Sequence, residues 1–297
     1  MNRFLFGMHD TKEKQRKANR KGSIVVKGLA GSNQNETSVG LGIVPFRSER
    51  MNKYVATANG RKNVKEGALF RDGSDRNLVI AIDGPAGAGK STVAKRLAKR
   101  LAILYLDTGA MYRAVGLRIL EAGRNPADPS DVLPLLDHTE VAVQYEGGRQ
   151  AVYLNGRNVT NKIRTQQVSG AASAVAVLPE VRKKLVSLQR EIASNVSLVM
   201  DGRDIGTYVL PDADIKIFLT ASPEERARRR WKELRQKGMN PDYDDIRKEI
   251  MERDRNDSNR SFAPLKKAED ALLIDTTNKA IDEVINEIEG LIQVQRR

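Results

Sequence analysis

The sequence predicts an α/β protein: a doubly wound, five-stranded parallel sheet with helices on both faces, a small antiparallel β insert and a helical lid. Three observations carry that reading. The apolar run Leu78–Asp83 leads directly into Gly84, Pro85, Ala86, Gly87, Ala88, Gly89, Lys90 and Ser91, which fill the P-loop pattern G-x-x-x-x-G-K-S. Further apolar runs suited to buried parallel strands recur at 103–106, 198–200, 215–219 and 271–274, with helical spacing between them. Between the second run and the third, Val141–Tyr145, Ala151–Leu154 and the pair Asn155-Gly156 read as an antiparallel meander, because Asn-Gly favours a two-residue hairpin turn.

Taken in order, the first strand, 78–83, ends at a glycine-rich turn. Its backbone can curl so that successive N–H groups face phosphate oxygens, and the helix that follows adds its positive end. Lys90 can reach β- and γ-phosphates and the Ser91 hydroxyl can ligate Mg²⁺, so the loop binds a nucleoside triphosphate; the ATP-binding set runs on to Thr92. The second strand, 103–106, ends in Asp107-Thr108-Gly109-Ala110-Met111-Tyr112-Arg113. The insert then spans about 128–165, either as decoration or as a clamp over the ligand edge. The third strand, 198–200, ends in Asp201-Gly202-Arg203-Asp204. After the fourth, 215–219, comes the lid, about 222–243, returning near Gly238 and Pro241. Within it Arg226, Arg229 and Arg230 share a helix face that can close over donor phosphates, with Arg228 pointing away. A solvated basic helix paired with Glu224 and Glu225 is the alternative. The last helix puts Ile281, Val284, Ile285, Ile288 and Ile292 on one face.

Composition narrows the chemistry. Of 297 residues 40% are hydrophobic and 30% charged, within the range of globular proteins, and no apolar run approaches a membrane span. There is no cysteine, which removes disulfides and thiolate metal sites and suits the cytoplasm. His9 and His138 are the only histidines, too few for a serine–histidine triad or a histidine-rich zinc site. Phosphoryl transfer needs neither, since it relies on positioning and cations. The net charge of +13 is uneven: residues 1–76 hold 16 Lys and Arg against 7 Asp and Glu, and the remainder 35 against 31. That segment lacks a sustained period and reads as a basic, disordered extension preceding a folded α/β domain over 77–297. A basic arm touching nucleic acid or ribosomes, a targeting presequence and a role-less upstream extension are the alternatives. The opening Met1–Gly7 is too short an apolar run for a secretory signal.

The motifs after the strands, with Ile163-Arg164-Thr165-Gln166, the stretch Asp214–Arg226 and Arg253–Arg260, resemble the bacterial cytidylate kinase family over about residues 78–290. The resemblance implies an ATP- and Mg²⁺-dependent kinase acting on CMP and dCMP. The chain is expected to be a monomer with no membrane partner, nucleic-acid contact being left to the basic arm alone. The resemblance also implies that Asp204 accepts from the cytosine amino group while Ser173 and Arg182 serve the rest of the base. Arg113, Arg203 and Arg260 fall where the family holds the acceptor phosphate, with Arg164 a weaker candidate. Tyr112 and Thr108 belong to the same acceptor set, and Arg253 and Asp257 lie where the ribose hydroxyls are held. Lys90, Asp201, Arg226, Arg229 and Arg230 form the expected catalytic set. Asp201 is placed to hold a Mg²⁺-bound water, a strand-end turn cap being the plainer account. A kinase of the same fold for UMP, AMP or shikimate is the nearest competitor. A GTP-dependent switch lacks its guanine motif, because Asn278-Lys279 is followed by Ala280 and Ile281.

Overall fold

The computed structural model describes residues 77–146 and 149–295; the basic segment 1–76 and the Gly147-Gly148 pair of the meander lie outside them. β1 (Val79–Asp83) is the central strand of a five-stranded parallel sheet, flanked by β6 (Leu198–Asp201) and β7 (Ile215–Thr220). β2 (Leu104–Asp107) forms one edge beside β6, and β8 (Leu272–Asp275) the other beside β7. All five strands fall within a residue or so of the apolar runs that announced them. The two central strands are buried along nearly their whole length, which requires helices on both faces and explains why their sequences are continuous apolar runs rather than alternating ones. Each fully buried isoleucine or leucine there, such as Ile80, Ile82 or Leu198, contributes about 1.5–3 kcal/mol of transfer free energy.

The register brings two carboxylates to one place. Ile82 pairs with Asp201, so the carboxyl ends of β1 and β6 lie side by side at the point where the strand order changes direction. α1 (Lys90–Arg100) follows the glycine-rich loop and packs against α8 (Ile281–Gln295), to which Arg96 and Arg100 are ion-paired through Asp282 and Glu289. Val284, Ile285, Ile288 and Ile292 are buried as the spacing predicts. Ile281 is not: it is 36% exposed, because it stands at the helix start where the functional cavity opens.

α2 (Thr108–Glu121) runs from β2 and packs against α4 (Gln166–Val175). That packing depends on Gly116, where an added Cβ would sit 2.8 Å from the Ala172 nitrogen. α5 (Pro179–Asn195) completes this side. Between α2 and α4 lies the insert: α3 (Pro129–Leu136), which the sequence did not announce, then β3 (Val141–Glu146), β4 (Arg149–Leu154) and the short β5 (Arg157–Asn158). Asn155 and Gly156 both adopt positive φ, the turn their identity favours. The lid is two helices, α6 (Pro223–Gln236) and α7 (Tyr243–Ser258). Ser222 and Asp242 cap their N-termini. They join through Ala227, Leu234, Ile246 and Ile250, with Trp231 and Tyr243 packed on that cluster. The second arm therefore extends well past residue 243.

Candidate active site

The glycine-rich turn between β1 and α1 is a tight loop whose backbone only glycine adopts freely. Gly84, Gly87 and Gly89 all have positive φ, and a Cβ at Gly84 would fall 1.9 Å from the Leu219 carbonyl oxygen, so only glycine fits there. Residues Ala86–Thr92 line one end of a cavity of about 860 Å³, with Gly84 and Pro85 shaping the turn behind them. Lys90 is buried, and its ammonium donates to the Pro85 carbonyl at 2.6 Å. Burial, reinforced by Arg203, pushes the Lys90 pKa well below its ordinary value. An anion in the cavity would favour the charged form of Lys90.

Asp201 closes the loop's far side. Its two carboxylate oxygens accept from Ser91 Oγ at 2.7 Å and from the Tyr105 hydroxyl at 2.8 Å, while its main-chain oxygen accepts from Thr108 Oγ1 at 2.7 Å. Burial, with Asp107 adding to it, raises the Asp201 pKa. Asp107 caps α2 through Ala110 and holds Arg113 at 2.8 Å. The insert reaches this corner through Gln150, whose amide accepts from the Asp107 N–H at 2.7 Å and donates to its carbonyl, and through Tyr145, which donates to Tyr105. The insert thus steadies the cavity edge, but its residues are not among those lining the cavity.

At the opposite end Arg182 and Asp204 form a buried ion pair. The Arg182 guanidinium lies 5.7 Å from the Tyr112 ring centre and 5.9 Å from that of Phe262. Ser173 lines the same wall. Burial pushes the Tyr112 phenol up to about 12, so it stays a neutral hydrogen-bonding group. The chain after Asp204 enters a π-helical turn, Ile205–Val209, held by Asp83 at the end of β1, which accepts from the N–H groups of Ile205 and Gly206 at 2.8 and 2.7 Å. Asp83 therefore ties the P-loop strand to the Asp204 turn.

Between the two ends lies a cluster of cations. Arg203 donates to Asp257 at 2.8 Å, Arg260 stands 3.6 Å from the other oxygen of that carboxylate, and Arg253 lines the cavity beside them. Burial pushes the Asp257 carboxyl up, but Arg203, Arg260 and Arg253 outweigh it and hold it below its ordinary value. Burial and Arg203 push Arg253 down to about 10, still charged at neutral pH. The Nε groups of Arg113, Arg182, Arg253 and Arg260 are buried with no protein partner. Eleven lysines and arginines line the cavity against seven carboxylates, an excess that favours a multiply charged anion.

The lid differs from expectation at two arginines. Arg226 does not line the cavity. It is buried beneath the loop, where it donates to the carbonyls of Ala86 and Ala221 and pairs with Asp254, because α6 packs its first turn against Gly87. Arg228 does line the cavity, held by Glu225 at 2.7 Å, rather than pointing away. Arg229 also pairs with Glu225 and donates to the hydroxyl and carbonyl of Thr276, and Arg230 pairs with Glu233; both line the cavity. Arg164 is exposed, donates to the Thr160 carbonyl, and lies outside the cavity lining. Every other predicted acceptor residue lines one continuous space. Sequence reasoning missed Thr276, Lys232 and Lys279 in the lining, and Asp254 beneath it. Glu225 pairs with Arg228 and Arg229, so the expected pairing of the basic helix with this glutamate is seen, at the cavity wall.

A strand-ending P-loop, a two-helix lid and a cation-lined acceptor cavity define a P-loop kinase of a small anionic acceptor. Comparison with known proteins specifies it further. The cytidylate kinase family model matches residues 80–294. A cytidylate kinase of Caldicellulosiruptor bescii is 51% identical over 213 residues, covering 72% of this chain and 94% of that protein. One from Halalkalibacterium halodurans is 50% identical over 218 residues, covering 73% and 98%. One from Lactobacillus johnsonii is 47% identical over 229 residues, covering 77% and all of the relative. The chain belongs to the cytidylate kinase family.

Proposed function

We propose that this chain transfers the γ-phosphate of ATP to CMP or dCMP, giving ADP and CDP or dCDP. The observation that carries the reading is a single cavity with a P-loop at one end, a buried Arg182–Asp204 pair at the other and the arginines Arg113, Arg203, Arg253 and Arg260 lining it between. On this reading the loop from Gly84 to Thr92 and Lys90 receive the ATP phosphates, and Arg228, Arg229 and Arg230 close over them. Asp204 accepts from the cytosine amino group, with Arg182 and Ser173 on the remaining acceptors of the base edge. Uracil offers an oxygen where cytosine offers that amino group, which leaves Asp204 facing an acceptor and disfavours UMP. Arg113, Arg203 and Arg260 hold the acceptor phosphate, Arg253 and Asp257 the sugar, and Tyr112 supports the nucleoside. Arg164 is left without a role in this scheme.

Ser91 and Asp201 fit a magnesium ion. They supply hard oxygen donors 2.7 Å apart at the end of the P-loop. Among the described residues there is no cluster of three or more metal-binding side chains, and a magnesium carried on ATP phosphates needs fewer. A bound Mg²⁺ would screen charge on the β- and γ-phosphates. The chain's own part in the reaction is positional. An oxygen of the acceptor's α-phosphate, already anionic near neutral pH, attacks the γ-phosphorus in line as the bond to the β-phosphate oxygen breaks, so no general base is required. Lys90 and the lid arginines stabilise the spreading charge, and closure of α6 and α7 keeps out water as a rival acceptor.

No helix among the described residues is long and apolar enough to cross a membrane. We read the chain as a monomer working in the cytoplasm, with residues 1–76 standing apart from turnover. The test is ADP release from Mg·ATP with CMP, dCMP, UMP, AMP, GMP and shikimate. Turnover with CMP and dCMP alone supports the reading. Preference for another acceptor would keep the kinase and discard the base pocket.

A further inference from the structure

We propose that the Arg226–Asp254 pair, its arginine buried and its carboxylate partly so, is a positioning device for the P-loop, setting affinity for the donor nucleotide through the backbone of Ala86. The proposal rests on the kinase reading above. Asp254 Oδ1 accepts from the Ala86 N–H at 3.0 Å. Arg226 Nη1 donates to the Ala86 carbonyl at 3.0 Å and to the other oxygen of Asp254, and its Nε donates to Ala221 at 3.0 Å. Both polar groups of one loop residue are therefore held by side chains, one from each lid helix. Neither Arg226 nor Asp254 lines the cavity, so neither is a catalytic residue.

The geometry argues for positioning rather than simple packing. An ion pair largely withdrawn from water loses enough hydration that apolar residues of similar size often serve stability about as well. What apolar residues cannot do is fix a peptide group in both directions. Ala86 is the residue from which the cavity-lining part of the loop begins, so its orientation sets where Gly87–Ser91 fall. The same two helices address the ligands directly. On α7 the neighbouring Arg253 and the next-turn Asp257 line the cavity, and on α6 so do Arg228, Arg229 and Arg230. One clamp thus anchors both lid arms to the loop that receives the donor phosphates. Its loss should be felt by ATP and not by the acceptor base, whose Arg182–Asp204 pair stands on α5 and the β6 turn.

The test uses the full chain with Asp254→Asn, Arg226→Lys and Arg226→Met, titrated separately with Mg·ATP and with CMP in a calorimeter. Asp254→Asn is expected to raise the ATP dissociation constant about tenfold or more while CMP stays within about twofold, and Arg226→Lys to be milder than Arg226→Met. Unchanged ATP affinity, or parallel loss of both ligands, would overturn the proposal. Should the variants fail to fold, amide exchange in the unmodified protein decides. The Ala86 N–H is expected to be protected before nucleotide is added, and exchange as fast as an exposed amide sinks the clamp. If the unmodified protein binds Mg·ATP yet phosphorylates no cytidylate, the kinase reading falls on that measurement, separately from the clamp.

Discussion

Replacing Asp204 by alanine should separate what the Arg182–Asp204 pair contributes to stability from what it contributes to base choice. The Arg182 side chain is 1% exposed, its Nε has no hydrogen-bond partner, and its other hydrogen bond is a long one to the Ala176 carbonyl at 3.4 Å. Removing the carboxylate strands a charged guanidinium in the interior, a change that costs about 3–5 kcal/mol. For a domain of this size each kcal/mol lowers the melting temperature by about 2–4 °C, so the variant should melt roughly 6–20 °C lower. The double variant Asp204→Ala with Arg182→Met removes the stranded charge and fills much of its volume. It should regain most of the lost stability, as buried pairs replaced by apolar side chains commonly do. Base choice should not return with it. Both variants should show a raised KM for CMP and a narrowed preference over UMP, read as the ratio of kcat/KM values. Thermal melts and the two-substrate kinetics are measured on the same preparations. A single variant costing under about 1 kcal/mol, or a double variant no more stable than the single one, would refute the account of the pair as a buried, mutually dependent unit. Undiminished discrimination would show that the base is read elsewhere.

Three further outcomes follow from the same geometry. Lys90→Ala should cut turnover about 10²-fold or more with every acceptor, since it removes a buried cation from the phosphate end, and unchanged kcat would remove Lys90 from the mechanism. Burial raises Asp83 from its ordinary 3.8 to about 6, so the ionised form is disfavoured in the folded state. The stability this contributes is present at low pH and is lost as pH rises through about 6. The difference amounts to about 3 kcal/mol, so the parent should lose about that much relative to Asp83→Asn between about pH 4 and pH 7 in paired urea melts; parallel profiles would refute it. Removing residues 1–76 should leave kcat and KM essentially intact, and a large loss in a folded, monodisperse truncation would give that segment a part in catalysis.

The sheet was legible because its strands are buried on both faces. A strand such as Leu198–Asp201 is then apolar almost throughout, and the turn residues that follow it mark its end. The P-loop was legible for a different reason: Gly84 stands where a Cβ would meet a carbonyl at 1.9 Å, so backbone geometry dictates residue identity there. Asn155-Gly156 showed the hairpin by the same logic. The helix α3 was hidden because only Val132 and Leu136 on it are buried, too few to set up a period.

The lid arginines mark where that legibility ends. Helical spacing groups Arg226, Arg229 and Arg230 and leaves Arg228 aside, and it does so correctly for an isolated helix. The structure sorts them by their partners instead. Arg226 is drawn under the loop by Asp254, a carboxylate 28 residues further on, and Arg228 is held at the cavity by Glu225 on its own helix. Four arginines within five residues carry the same charge and nearly the same reach, so the sequence cannot say which carboxylate each will meet. Their functions differ only because α6 and α7 fold back on one another through Ala227, Leu234, Ile246 and Ile250, a packing event that fixes which side of α6 faces the loop. The chemistry of the lid is therefore decided by apolar residues that carry none of it.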